Sequence, residues 1–313
     1  MAKRTRIILC ITGTLITLFL LAACAQPGST KTVAGNRPAG ALLIPPAGLE
    51  ENDGKIAQYE GEVPLPPDIA RIKQRGKLIV AMYHDDRAPF FYTDQGGKLT
   101  GIDPTMARDI ARRLGVNIEF DRTAQSFDAV VDTVVRGKAD IGVSKLSVTL
   151  NRAQRASFTI NYVEYHQSLL VNRLKLAALQ AQNPGSDTLS LLMNTQAKIA
   201  VQKGTSYVDY AKLAFPRAQI VTMENQEIFR AAYQGDVLAA FDDENETGMF
   251  LKQNPEMAIN VQSVILYDRI DPIGIAVSPQ DQHLLYWLNV YLDQATKNSY
   301  IKQLLEKYQG ETK

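Results

Sequence analysis

The sequence predicts an α/β protein built from two open parallel sheets. From residue 68 onward, short apolar runs with the profile of buried strands alternate with amphipathic helical stripes. The same strand–helix–strand–helix–strand cycle then occurs a second time, which implies two such sheets in one chain. The residues ahead of the first cycle have neither pattern and read as a leader and a tether.

The leader is residues 1–23. Lys3, Arg4 and Arg6 form a basic start, Ile7 to Leu20 is uncharged and mostly apolar, and Leu21-Ala22-Ala23-Cys24 ends the run. A basic region, an apolar region and small residues at the cut mark a secretory signal. The run is short for a membrane span, which needs about 20 apolar residues. Residues 24–67 carry Pro27, Pro38, Pro45, Pro46, Pro64, Pro66 and Pro67 among six glycines, from Gly28 to Gly61. That composition resists helix and ladder formation and gives a flexible spacer.

Charge and cysteine content narrow the function. The chain has 34 basic and 33 acidic residues, so it lacks the signature of a polyanion binder, and nucleic acid is not an expected partner. Loss of the leader removes three basic residues, leaving 31 against 33, and also removes Cys10. Cys24 is then the only cysteine, so the secreted part must be stabilised by its core without disulfides.

The elements follow in order. Leu78 to Met82 reads as a buried strand. Asp103 is placed as the N-cap of a helix with Pro104 in its first turn, and Met106, Ala107, Ile110, Ala111 and Leu114 form its apolar stripe before Gly115 stops it. Ile118–Phe120 is a strand. Phe127, Val130, Val131, Val134 and Val135 mark a helix stopped by Gly137, and Ile141–Val143 is a strand. In the second cycle Ile199–Val201 is a strand, Gly204-Thr205-Ser206 turns into a helix from Tyr207, and Gln219–Thr222 is a strand. Gln226–Tyr233 is a helix and Leu238–Phe241 the last strand, after which Asp281–Tyr308 reads as one or two amphipathic helices. Ligands of open sheets sit outside the carboxyl ends of the strands, so two such ends facing one another would form a cleft.

Other chemistries find little support. His84, His166 and His283 are far apart and lack metal-ligand spacing, so no metal is expected. No Gly-x-Ser-x-Gly elbow is present, and no glycine-rich phosphate loop follows a strand, so no nucleotide or other cofactor is implied.

The order of motifs resembles the family 3 solute-binding proteins of amino-acid ABC importers. The resemblance is carried by Arg75-Gly76-Lys77-Leu78, Ala88-Pro89-Phe90, Gly101-Ile102-Asp103, Ala111-Arg112-Arg113-Leu114-Gly115 and Gly137-Lys138-Ala139-Asp140-Ile141. It continues in Ser147-Val148-Thr149 with Arg152, Phe158-Thr159, Gln202-Lys203-Gly204-Thr205, Asp242-Asp243-Glu244 and Gly274-Ile275-Ala276-Val277. It spans about 70 to 310. It implies a type II periplasmic-binding-protein fold: two lobes joined by two crossings, with the ligand cleft between them. Lobe 1 is expected at 68–163 plus 270–313 and lobe 2 at 164–269. Leu21-Ala22-Ala23-Cys24 likewise resembles a lipobox, which implies lipidation of Cys24 and anchoring to a bacterial membrane at the periplasm or cell surface. The implied partners are an amino acid or similar zwitterion, an ABC permease and the lipid bilayer, with the protein acting as a monomer.

The resemblance also implies a site. Arg152 stands where the family's arginine grips the ligand's α-carboxylate, a task suited to a planar guanidinium fork. Asp243 stands at the carboxylate that accepts from the α-ammonium, with Asp242 and Glu246 as lesser candidates. Ser147, Thr205 and Ser206 match small hydroxyl positions, with helix capping the alternative role for each. Phe90 and Phe127 match apolar or aromatic wall positions, with core packing the alternative role for each. Arg87 replaces a common aromatic, and Lys145 a common small residue. Two extra cations imply an acidic or polar ligand side chain unless both point to solvent. Two other readings of the same residues are a signalling lipoprotein and a cyclohexadienyl dehydratase, in which a Glu246 protonated through burial would act as general acid.

Overall fold

The structure, a computed structural model, describes residues 64–224 and 227–311. The signal segment, Cys24 and most of the tether lie outside the described residues, as do Asn225 and Gln226. Helix α1 (Pro67–Arg75) opens on the last residue assigned to the tether, because Pro67 at the first helical position loses no hydrogen bond. Asp68 has a second use. Its carboxylate accepts from the backbone N–H groups of His283 and Leu284 at 3.0 and 2.8 Å, capping a helix more than two hundred residues away.

The first half then runs through β1 (Lys77–Tyr83), the short hairpin β2 (Tyr92–Thr93) and β3 (Leu99–Thr100), α2 (Ile102–Leu114), β4 (Asn117–Ala124), α3 (Phe127–Val135), β5 (Ile141–Ser147), α4 (Leu150–Ala153) and β6 (Ser157–Phe158). The chain crosses on β7 (Val163–Asn172) into α5 (Arg173–Gln182), α6 (Thr188–Met193), β8 (Lys198–Gln202), α7 (Tyr207–Ala214), β9 (Gln219–Met223), α8 (Glu227–Gln234), β10 (Ala239–Asp243) and α9 (Glu244–Gln253). It returns on β11 (Val261–Val277) and ends in α10 (Gln282–Lys297) and α11 (Tyr300–Glu311).

The start of α2 differs from expectation. Gly101, not Asp103, holds the cap position, with a φ of 111° and so little room that a Cβ would lie 2.4 Å from the Phe90 carbonyl oxygen. Asp103 is instead fully buried. Its carboxylate accepts from the backbone N–H of Lys145 at 2.7 Å and from the Tyr162 hydroxyl at 2.9 Å, so it braces the end of β5.

The two parallel triplets are present, but they are not separate sheets. Strands run in the order β4-β1-β5-β11-β7-β10-β8-β9, parallel within each triplet, while β11 and β7 pair antiparallel between them. The result is one mixed sheet, with β7 and β11 as the two crossings. A register shift between Leu266 and Ile270 interrupts their ladder, and a break of this kind bends the paired strands between the halves.

Each half has its own core. In the first, Ile72, Leu78, Val80, Met106, Ile110, Val130, Val134 and Leu288 are buried together. In the second, alternation along the strands sends Leu169, Ile199 and Phe241 to one face, and Leu170, Ala200 and Ala240 to the other. Each fully buried aliphatic or aromatic side chain of this size contributes about 1.5–3 kcal/mol. The apolar cores lie within the halves, so the groups between them can be polar. Among the described residues no helix is long and apolar enough to cross a membrane.

Candidate functional site

The strand ends of both halves open onto one cleft. Arg87 follows β1, Lys145 and Ser147 close β5, Gln202 ends β8 with Thr205 and Ser206 just beyond, and Asp242 and Asp243 end β10. Glu246 adds from the first turn of α9 and Asp271 from β11. The cavity there measures about 40 Å³, and polar side chains dominate its walls.

The halves touch through these residues. Arg87 donates to the Gln202 side chain at 2.6 Å and the Ser206 hydroxyl donates to Ser147 at 2.8 Å. The Lys145 ammonium sits 2.8 Å from Asp243 and 2.6 Å from Glu246. Gly204, with a φ of 72°, comes so near the other half that a Cβ would be 2.8 Å from the Cβ of Ser126. The cleft is closed.

Arg152 is not a surface arginine. It is 2% exposed, and its guanidinium is held by Asp128 at 2.9 Å and by the Ser147 carbonyl at 3.0 Å. Its Nη2 is buried without a hydrogen-bond partner. An unpaired donor on a buried cation is costly, and this one lies on a residue that lines the cleft. Arg155, one turn on, pairs with Asp132 and is the solvent-side arginine.

The hydroxyls do not cap. Thr205 donates to the Gln202 carbonyl at 2.8 Å, and Ser206 begins α7 without a side-chain cap bond. Ser206 donates to Ser147, Ser147 to Asp271 at 3.0 Å, and Tyr210 to the other Asp271 oxygen at 3.3 Å. Phe127 lines the cleft and stacks on Tyr83 at 4.6 Å, and Arg87 lies over both rings. Phe90 takes the core-packing role. It is wholly buried in the first core and reaches the cleft only through Lys145, whose Nζ is 5.0 Å from its ring centre. Arg87 and Lys145 do not point to solvent; both are drawn across the cleft to partners on the second half.

Electrostatics sort the acids. Burial, then the neighbouring Asp243 and Glu246, push the Asp242 carboxyl well above the usual range, and burial also raises Asp243. Burial and the Asp243 charge push Asp271 up to about 7. Burial works against the Glu246 carboxylate too, but the charges of Lys145 and Arg87 outweigh it and hold Glu246 below the usual range. A protonated Glu246, which the dehydratase reading requires, is therefore disfavoured. Burial likewise opposes the Lys145 charge, and Asp243, Glu246 and Asp242 more than offset it. Among the described residues no cluster of three or more histidine, cysteine or acidic side chains could hold a metal ion.

Three residues that line the cleft, Gln202, Tyr207 and Asp271, were not singled out in the sequence. Gln202 ends a strand in a motif that was recognised, but nothing marks its amide as functional. Tyr207 and Asp271 carry no local signal, because Asp271 enters the cleft only through the pairing of β11.

Two α/β halves, two strand crossings and a closed polar cleft define a two-lobed binding protein. The family model for bacterial extracellular solute-binding proteins, family 3, matches residues 78–311, and the chain belongs to that family. A probable histidine-binding protein of Campylobacter jejuni is 28% identical over 224 residues, covering 71% of this chain and 81% of the relative. A membrane-bound lytic murein transglycosylase F of Pseudomonas syringae pv. tomato is 26% identical, but the match spans only 48% of that protein. Among solved structures, an ancestral amino acid-binding protein that is a precursor of cyclohexadienyl dehydratase is 30% identical. It superposes with a TM-score of 0.62 over 77% of this chain and 98% of that one. An amino acid ABC transporter substrate-binding protein of Streptococcus pneumoniae, bound to L-arginine, is 26% identical, with a TM-score of 0.65 over 78% and 98% of the two chains.

Proposed function

We propose that this protein captures an amino acid by closing its two lobes and passes it to the permease of an ABC importer, held at the membrane by acylated Cys24. The lobes are taken as 68–163 plus 270–313 and 164–269. One observation carries the reading: Arg152 is buried with an unpartnered Nη2 on the first lobe, while Asp243 lines the same cleft from the second. A guanidinium on one lobe and a carboxylate on the other match the two charged ends of a zwitterion. Ser147, Thr205 and Ser206 surround the carboxylate end, and Arg87 and Phe127 wall the side-chain end. The amino-acid-binding relatives support the ligand class.

The test is a thermal-shift screen of the mature chain, carrying Cys24→Ser, against all amino acids and prephenate. A ligand at a hundred times its Kd adds about 2.7 kcal/mol, which raises the Tm of a protein this size by roughly 5–10 °C. A shift of that size with an amino acid is the expected result. A shift with prephenate alone, or with no compound, removes the reading.

A further inference from the structure

The position that should receive a ligand's ammonium is already filled. The Lys145 ammonium lies 2.8 Å from Asp243 and 2.6 Å from Glu246, inside the cleft and across the lobe boundary. We infer that Lys145 is a tethered competitor: it occupies the ammonium site, latches the lobes together without ligand, and favours amino acids that bring a second carboxylate. The ligand-class part rests on the amino-acid reading above; the latch does not.

The placement of Lys145 is built rather than incidental. Its backbone has a φ of 47°, a left-handed conformation that a lysine rarely adopts. Buried Asp103 holds it there by accepting the Lys145 N–H at 2.7 Å, and Tyr162 in turn donates to Asp103 at 2.9 Å. The ammonium lies against the rings of Phe90 and Tyr165, whose centres are 5.0 and 5.5 Å from Nζ. A strained backbone, a buried brace and two aromatic neighbours together deliver one ammonium to carboxylates of the opposite lobe. The residue is only 8% exposed, so solvent screens these pairs weakly.

Two consequences follow. A ligand ammonium must displace Lys145 from Asp243, so the apparent affinity is reduced in proportion to the fraction of molecules in which the site is self-occupied. The displaced ammonium stays within the cleft, because its backbone is fixed, and of its two carboxylate partners it keeps only Glu246, 2.6 Å away. A ligand carboxylate at the side-chain end replaces the lost partner; a neutral or cationic side chain leaves Lys145 with Glu246 alone.

The experiment uses the mature chain with Cys24→Ser, in which no cysteine remains. Spin labels are placed at Leu150→Cys and Leu213→Cys, exposed positions on α4 of the first lobe and α7 of the second, and their distance is measured by pulsed EPR without ligand. Lys145→Met keeps the stem and removes the charge; Lys145→Gly removes the competitor and suits the backbone. The expected result is a mainly closed distance in the unmodified site and a shift to open in both variants. In calorimetry, Lys145→Gly should bind glutamine about tenfold tighter than the unmodified protein does, with the preference for glutamate lost. An open unliganded protein whose distance ignores Lys145→Met overturns the latch. Unchanged or weaker glutamine binding by Lys145→Gly overturns the competitor. If no amino acid binds any variant the amino-acid reading fails, while the label distances still decide the latch.

Discussion

The Ser206 hydroxyl donates to the Ser147 hydroxyl at 2.8 Å, joining two side chains 59 positions apart from opposite lobes. Ser147 passes the interaction on to Asp271 of the strand β11, so both lobes and a crossing share one hydrogen-bonded chain. Removal of the first donor tests whether this chain belongs to closure. Ser206→Ala should weaken ligand binding by about 1 kcal/mol, roughly fivefold in Kd, with the unfolding midpoint of the free protein changed little. Calorimetry and a denaturant titration read the two quantities separately.

Gly204 gives a sharper version of the same test. Any side chain there meets Ser126 of the other lobe at 2.8 Å and must also adopt a φ of 72°. Gly204→Val should raise the ligand Kd at least about tenfold, the scale of a 1–3 kcal/mol overpacking cost. Unchanged far-ultraviolet circular dichroism would show that closure, and not folding, is the step lost.

The buried acids predict a pH dependence of stability. Asp103 and Asp271 ordinarily titrate near 3.8, and burial pushes each to about 7. Between these values the folded protein binds more protons than the unfolded chain, so their contribution is complete below about pH 4 and is lost as pH rises to 7. Urea midpoints measured at pH 4.5 and 7.5 should show this fall, and Asp271→Asn should make the difference smaller. The size is on the order of a few kcal/mol per group at most. A steeper fall in Asp271→Asn would contradict the assignment.

Most of the fold was legible because its signals are local. The stripe from Met106 to Leu114, the glycine stops at Gly115 and Gly137, and the short apolar strands all reappear within a few residues of their expected limits. The crossings were not legible. In β11, the polar stretch Tyr267-Asp268-Arg269 and Pro272 break the two-residue rhythm, and only pairing with β7 makes a strand of it. The joining of two sheets into one follows from that pairing. Asp103 was misread for a related reason: an acidic residue before a helix has the local look of a cap, whereas its real partners, Lys145 and Tyr162, are distant in sequence.

In the site, residue types at strand ends were legible, but their mutual contacts were not. Arg152 and Asp243 are candidates from the sequence, but no local signal shows that Lys145 reaches Asp243 first. Phe90, which the family pattern offers as a wall or as core, is wholly buried in the first core.

The most direct measurement is a calorimetric comparison of the amino acid that gives the largest thermal shift with its analogue lacking only the α-ammonium, using the native chain and Arg152→Met. Bridging of Arg152 and Asp243 by a zwitterion predicts that the analogue loses most of the affinity. It also predicts that Arg152→Met costs about 2–4 kcal/mol, near a hundredfold in Kd, as loss of one partner from a buried charge pair does. Equal binding of the analogue, or an Arg152→Met variant that binds as tightly as the native chain, would contradict it.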